Sequence, residues 1–307
     1  MDSPPITDRT VLVTGGAGFV GSHLADALAD RNDLRILDNF SSGHREYVPD
    51  GATVIEGDIR DADALARATR NVDLIFHEAA AVSVEVSVEQ PAETSDVNLA
   101  ATLSLLEHAR RADARVVVAS SAAVYGHPER VPVAEGASKE PTSPYGVQKL
   151  AADHYTRLYH DLYDLPTVAL RYFNIYGPRQ QGPYSGVIST FLEQARAGEP
   201  LSINGDGEQT RDFIHVSDVV RANLRAARTD HVGEAFNIAT GETTTIAELA
   251  TLIRKETDSD SPIVYTDPRP GDIRQSQAVT QKARQQLGFE PKLPLATGVR
   301  QLVHTEL

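Results

Sequence analysis

No cysteine occurs in this chain. Disulfides, thiolate metal sites, iron–sulfur ligation and cysteine nucleophiles are therefore excluded. No apolar run approaches the ~18 residues that a membrane-crossing helix needs. Met1 to Arg9 shows no basic segment followed by an apolar one, so no secretory signal is predicted and a cytoplasmic protein is expected. Lysine is scarce, contributing only 5 of the 29 Lys and Arg residues, and these face 43 Asp and Glu for a net charge of −14. Such a chain suits neither nucleic-acid backbones nor anionic membrane surfaces. Acidity with few lysines suits a saline cytoplasm, where screening tolerates the charge and the charge keeps the protein soluble. Histidines and carboxylates show no metal spacing such as HExxH, and no metal is expected. The 307 residues are 41% hydrophobic, enough for one large or two small domains.

The first half alternates strand and helix patterns. Strands are predicted at Thr10–Thr14, Leu34–Asp38, Thr53–Glu56, Val72–His77, Arg115–Ser120 and Thr167–Phe173. Helices are predicted at Phe19–Asp30, Asp61–Arg70, Ala92–Arg111 and Pro144–Leu162. Repeated βα units imply a doubly wound parallel sheet covered on both faces. After Asn174 proline and glycine become dense, as at Gly177, Pro178, Gly182 and Pro183. Helices are expected at Ser185–Ala197, Ser217–Arg228, Thr245–Thr257 and Thr280–Leu287. A smaller second domain is expected from 174–210 and 241–307, interleaved with the first, which takes 1–173 and part of 211–240.

Between the first strand and helix, Thr14 to Gly21 reads TGGAGFVG, a GxxGxxG pattern through Gly15, Gly18 and Gly21 and a GxGxxG pattern through Gly16, Gly18 and Gly21, in the required strand–turn–helix setting. Gly15, Gly18 and Gly21 let a pyrophosphate approach backbone amides at a helix N-terminus. Asp38 ends the second strand, where a carboxylate takes both ribose hydroxyls of an adenosine and repels a 2′-phosphate, which favours NAD over NADP. Asp58 and Ile59 follow the third strand, at the expected adenine edge.

Tyr145 and Lys149 lie four residues apart at a helix start, on one face. An ammonium beside a phenol is expected to lower the phenol pKa and make it a general base. Ser120 to Gly126, SSAAVYG, follows the fifth strand at the end where ligands bind, and Ser121 is the expected hydroxyl relay. His77 is expected to be a packed core imidazole, followed by Glu78, which can reach water or a ribose.

Together with RYFNIYGP (171–178), GDGEQTRDFIHV (205–216) and RPGDIR (269–274), these motifs resemble the extended short-chain dehydrogenase/reductase family. Within it they are most similar to NAD-dependent nucleotide-sugar epimerases of the UDP-glucose 4-epimerase kind. The resemblance covers nearly the whole chain. It implies cofactor contacts from Phe19 and Val20 on the pyrophosphate, from Asn39, Ser41, Ser42 and Gly43 around the adenosine, and from Glu78, Ala79, Ala80, Ala81, Val82, Asn98 and Phe173. It implies substrate contacts from Asn174, Gly186, Val187, Ser202, Ile203, Asn204, Arg211, Arg269, Asp272 and Ser276, with the two arginines on the diphosphate. Tyr145, assisted by Ser121, would take the C4 hydroxyl proton, and hydride would pass from C4 to NAD. The 4-keto sugar would turn, and hydride would return to its other face.

Related 4,6-dehydratases need an Asp–Glu pair where this chain has Ala122 and Ala123, and decarboxylases likewise carry an acid there. Reductive epimerases of the GDP-fucose type use a cysteine. Non-catalytic NAD-binding regulators usually lack the Tyr/Lys pair. A small residue at Ser276 implies room for N-acetylated sugars as well as glucose. A homodimer through the helices 92–111 and 144–162 is also implied, with Tyr155, Leu158, Tyr159 and Leu162 spaced as an apolar stripe.

Overall fold

A computed structural model describes residues 5–181, 186–269 and 271–304. The expected helix start at Ser185, together with Gly182, Pro183 and Pro270, lies outside these residues.

The first half runs β1 (Thr10–Thr14), α1 (Phe19–Leu28), β2 (Asp33–Asp38), β3 (Thr53–Glu56), α2 (Ala62–Ala68), β4 (Leu74–His77), α3 (Val84–Glu89), α4 (Pro91–Ser95), α5 (Ala101–Ala112), β5 (Arg115–Ser121), α6 (Pro144–Tyr163) and β6 (Thr167–Tyr172). The second half adds β7 (Asn174–Tyr176), α7 (Val187–Ala197), β8 (Leu201–Asn204), β9 (Thr210–Arg211), β10 (Phe213–His215), α8 (Val216–Ala226), β11 (Glu234–Ile238), β12 (Thr244–Thr245), α9 (Ile246–Glu256), β13 (Ile263–Thr266) and α10 (Leu295–His304). Helix starts follow their caps. Asp61 accepts from the amides of Asp63 and Ala64, and Ser143 accepts from Gly146 ahead of Pro144, which satisfies amides that a helix start leaves unpaired.

Two expected helices differ in the structure. The run expected as one helix over Ala92–Arg111 holds a π turn at Asp96–Ala100 between α4 and α5. The helix expected at Thr280–Leu287 ends in a π turn at Ala283–Leu287. Helix α3 was not expected at all.

Seven parallel strands form the main sheet, in the order β11-β6-β5-β4-β1-β2-β3. Its two faces follow from the two-residue alternation of strand side chains. Val11 and Val13 of β1 point into one core with Leu24 and Leu28 of α1 and Val219 of α8. Leu12 points the other way, into a second core with Leu65 of α2 and Leu105 of α5. A sheet buried on both sides needs such apolar runs. The strand order reverses between β1 and β4, so their C-terminal ends open into a crevice.

Among the described residues beyond β6 there are three two-stranded sheets: β10 with β7, β12 with β9, and β13 with β8. Phe191 and Leu192 of α7, Leu249 and Ile253 of α9, and Val299 of α10 give this part its own core.

Candidate active site

The glycine turn lies at the crevice. Gly15 has φ +67°, and a Cβ there would stand 2.8 Å from the Ala79 amide nitrogen. A Cβ on Gly21 would stand 2.1 Å from the Gly15 carbonyl oxygen. Both positions require glycine: at Gly15 the turn packs on the segment that follows β4, and at Gly21 the first turn of α1 packs on the glycine turn itself. Helix α1 begins at Gly18 with no side-chain cap and no acidic residue in its first turn. Its leading amides, including those of Phe19 and Val20, are thus suited to a pyrophosphate.

Asp38 is buried at the end of β2. Its two carboxylate oxygens accept from the amides of Ala17, at 2.9 Å, and Phe40, at 2.8 Å. Main chain therefore fixes the group that would meet the ribose. Exposed Ser41 and Ser42 and half-buried Gly43 continue the loop over the turn, and the His44 amide donates to Ala17. Asp58 takes three hydrogen bonds from Arg60 and one from Asn39, which hold its carboxyl at about 2. Through Asn39 it braces this loop. These features fit an NAD-type dinucleotide.

Residues 79–82 border the other side. Asn98 sits in the π turn, and its amide bonds both backbone groups of Ala81 and the Gln148 side chain. It shapes the Ala79–Val82 wall and offers the crevice few free atoms. His77 is enclosed, with Thr14 Oγ1 and Thr102 Oγ1 on its two ring nitrogens, and burial pushes it down to about 3. It is a neutral core group, as the sequence suggested.

The catalytic candidates converge. Ser121, at the end of β5, and Tyr145, at the start of α6, line the same cavity, and the Ser121 hydroxyl is the neighbour that acts on the phenol. The Tyr145 amide is held by Ser87 of α3, the unexpected helix, at 3.1 Å. Lys149 is buried, 6.0 Å from the Tyr145 ring, and donates to the Ala119 carbonyl at 2.9 Å. One expectation is corrected here. Burial raises the Tyr145 pKa, and Ser121 is the neighbour that draws it back. The Lys149 ammonium is turned to a carbonyl and does not dominate the phenol.

Behind these groups lies a polar network. Arg171, 1% exposed, makes a two-pronged pair with Asp153 of α6 at 2.8 and 3.0 Å. Ser120 donates to Asp153, and Arg171 also reaches Tyr125 and the Glu135 carbonyl. Strands β5 and β6, helix α6 and the loop over the site are thus tied together.

A cavity of about 230 Å³ opens beside Ser121 and Tyr145, lined also by Ala122, Ala123, Tyr125, Phe173, Asn174, Arg211 and Ser276. It is smaller than the roughly 300–1,000 Å³ that takes a whole drug-sized ligand, and suits a single ring. A second cavity, of about 320 Å³, shares Asn174 and Arg211 and is lined by Gly186, Val187, Ser202, Asn204, Arg269 and Asp272. Ile203 is not among them. Ser202 and Asn204 face the cavity, while Ile203 on the opposite face of β8 is in the core, as strand alternation requires. The Ile59 side chain is likewise enclosed in the second core. Contact from either position is limited to main chain.

Arg211 forms an ion pair with Asp272 and donates to the carbonyls of Thr210 and Ile273. Asp212, unflagged by sequence, accepts from Thr240, Gly241 and Ala278. The Ser276 amide donates to Thr210. Together these contacts lay 272–278 along β9 and bring Ser276 to the cavity.

A dinucleotide crevice opening beside a Ser–Tyr–Lys set defines the class of NAD-dependent enzymes that oxidise and reduce an alcohol carbon. The chain belongs to the NAD dependent epimerase/dehydratase family, whose profile matches residues 11–239. It is 39% identical over 303 residues to the UDP-glucose 4-epimerase of Mycolicibacterium smegmatis, covering 95% of this chain and 96% of that one. A solved UDP-glucose 4-epimerase from Thermotoga maritima, with UDP-glucose, superposes with TM-score 0.92 at 39% identity over 96% and 97% of the two chains. A UDP-N-acetylglucosamine 4-epimerase from Methanobrevibacter ruminantium M1, in complex with UDP-N-acetylmuramic acid, gives 0.94 at 38% identity over 97% and 98%.

Proposed function

We propose that this chain is an NAD-dependent epimerase that inverts C4 of a UDP-hexose through a 4-keto intermediate. The observation that carries this reading is the pairing of Ser121 and Tyr145 on one wall of a ring-sized cavity, with Lys149 behind Tyr145, 6.0 Å from its ring, and Arg211 and Asn174 leading to a second cavity. NAD, when bound, supplies the acceptor that takes hydride from C4 and gives it back. Tyr145 holds the proton of the C4 hydroxyl, and Ser121 orients that hydroxyl and passes the proton. Arg211 and Arg269 hold the diphosphate while the sugar turns, since a guanidinium matches phosphate oxygens by charge and geometry. Ala122 and Ala123 beside Ser121 leave no acid–base pair for dehydration.

The small Ser276 side chain at the sugar cavity supports acceptance of N-acetylated sugars. Ser276→Tyr is expected to abolish UDP-N-acetylglucosamine turnover and spare UDP-glucose, because an acetamido group cannot overlap a phenol ring. Unchanged turnover of both would overturn the assignment.

A homodimer is supported by the exposed Tyr155, Leu158 and Leu162 on one stripe of α6, and sedimentation in high KCl reads the mass. The net charge of −14 supports work in a saline cytoplasm. The deciding assay supplies each UDP-sugar in high KCl without added metal and identifies products by proton NMR. A C4-inverted product is expected; none from either substrate would reject the reading.

A further inference from the structure

We propose that Arg179 is a positioning residue for the substrate: clamped onto the cofactor half of the protein, it fixes the loop whose Gln180, with the start of α7, walls the second cavity. The inference rests on the proposed function only in taking that cavity as the seat of the UDP moiety.

The loop that follows β7 is attached on one side to elements of the cofactor half. His23 of α1 donates from Nε2 to the Pro178 carbonyl at 3.0 Å, since a carbonyl only accepts. Three residues along the same helix, on the same face, the Asp26 carboxylate stands 2.8 Å from Nη1 of Arg179. The Tyr47 ring lies 5.1 Å from the Arg179 guanidinium carbon, within cation–π range. Tyr47 closes the 3₁₀ turn Arg45–Tyr47, just beyond the loop 39–43 that borders the crevice. Arg179 is thus gripped by a helix and by a turn, both from the cofactor half.

The next residue is attached the other way. Gln180 donates from Nε2 to the Ile175 carbonyl at 3.1 Å, and its own carbonyl accepts from Ser189 Oγ of α7 at 3.2 Å. Gly186 gives α7 no side-chain cap, so the bond from Ser189 ties the first turn of the helix to the loop instead. A Cβ on Gly186 would stand 3.4 Å from Gln180 Nε2, so the glutamine side chain lies against the residue that opens α7. Gln180, Gly186 and Val187 line the second cavity with Arg211 and Arg269. Two neighbouring residues therefore join the halves: Arg179 takes its place from α1 and Tyr47, and Gln180 passes that place to the cavity wall.

The clamp is part-exposed, the Arg179 side chain by 27% and that of Asp26 by 43%. Its ion pair and its ring contact are each modest, and losing both is expected to loosen the loop about three- to tenfold.

Arg179→Met keeps the side-chain length and removes the charge. In the ligand-free protein, hydrogen exchange of the Thr190 amide, which bonds the Gly186 carbonyl at 3.1 Å, should quicken about three- to tenfold. With NAD saturating, calorimetry should show UDP binding weakened by a similar factor and NAD affinity unchanged. Asp26→Asn should give part of both effects, and the double variant no more than Arg179→Met, because the two residues act through one contact. Arg179→Lys should restore most of the loss. A merely structural role would weaken NAD together with UDP. Unchanged Thr190 exchange, unchanged UDP affinity, or equal losses of UDP and NAD overturn the inference. The exchange needs no ligand, so quickened exchange in a protein that binds no UDP before substitution overturns the reading of the cavity alone.

Discussion

The cofactor crevice and the substrate cavity are built in opposite ways. In the crevice, recognition rests on main chain and on one carboxylate that main chain holds. Gly15, Gly21 and Asp38 follow or end strands of the large sheet, and Asp38 is pinned by two amides. In the substrate cavity the charged groups are side chains on short strands and loops. Arg211 is paired with Asp272. A dinucleotide would meet positions already set, whereas the proposed diphosphate would have to draw Arg211 away from the Asp272 carboxylate. Preorganisation lowers the cost of binding, so the first site is suited to a ligand that stays and the second to one that leaves each turnover.

Substitutions test the two sites separately. The largest effect is expected where the halves meet. Tyr145→Phe should reduce turnover by roughly 10²–10⁴-fold, the usual worth of a general base, while NAD remains bound. Product NMR and the absorbance of bound cofactor read the two quantities, and near-normal turnover would remove Tyr145 from the chemistry.

Next comes the rigidity of the cofactor half. Arg171→Met leaves Asp153 buried with only Ser120 and Arg157 as partners, and should cost about 3–5 kcal/mol in urea unfolding. Burial pushes the Asp153 carboxyl up, and Arg171, aided by Arg157 and Ser120, outweighs it and holds the group below its ordinary range. Its contribution is therefore present above the unfolded carboxylate pKa of ~3.9 and is lost as pH falls below it. The gap between the two proteins should narrow in acid, and a gap independent of pH would deny the ion pair its role.

The smallest effect tests the substrate half. Arg211→Ala should weaken UDP binding by about 1.5–3 kcal/mol, the range for hydrogen bonds to charged groups. The low end is expected, because Asp272 already competes for Arg211. Calorimetry with UDP and with NAD separately should show a loss for the first alone. Equal losses would end the distinction between the two sites.

The same contrast explains what was legible in the sequence. Strands β1 to β6 were readable because a sheet buried on both faces demands short apolar runs, and the glycine turn because backbone approach demands glycine. Tyr145 and Lys149 gained meaning from lying after that turn. Helix α3 was missed because Val84, Val86 and Val88 alternate as they would in a strand. The π turn at Asp96–Ala100 adds no residue type that marks it. Contacts such as Arg171 with Asp153, or Glu78 with Tyr172, join residues 18 and 94 positions apart, and no local pattern carries them. Ile203 was misplaced because segment-level likeness does not say which strand face a residue takes.

The position of β11 bears on how the chain can be divided. Residues 234–238 lie beside β6, with Glu234 to Ile238 in register with Val168 to Tyr172. A fragment ending at residue 173 would contain the whole glycine turn, Asp38, Tyr145 and Lys149. It would also expose the ladder groups of β6, whose side chains are buried on both faces, as an open apolar edge. Such an edge templates pairing with other chains. The nucleotide-binding half is thus not a detachable module, and limited proteolysis between 174 and 233 should give a nicked but associated pair of pieces.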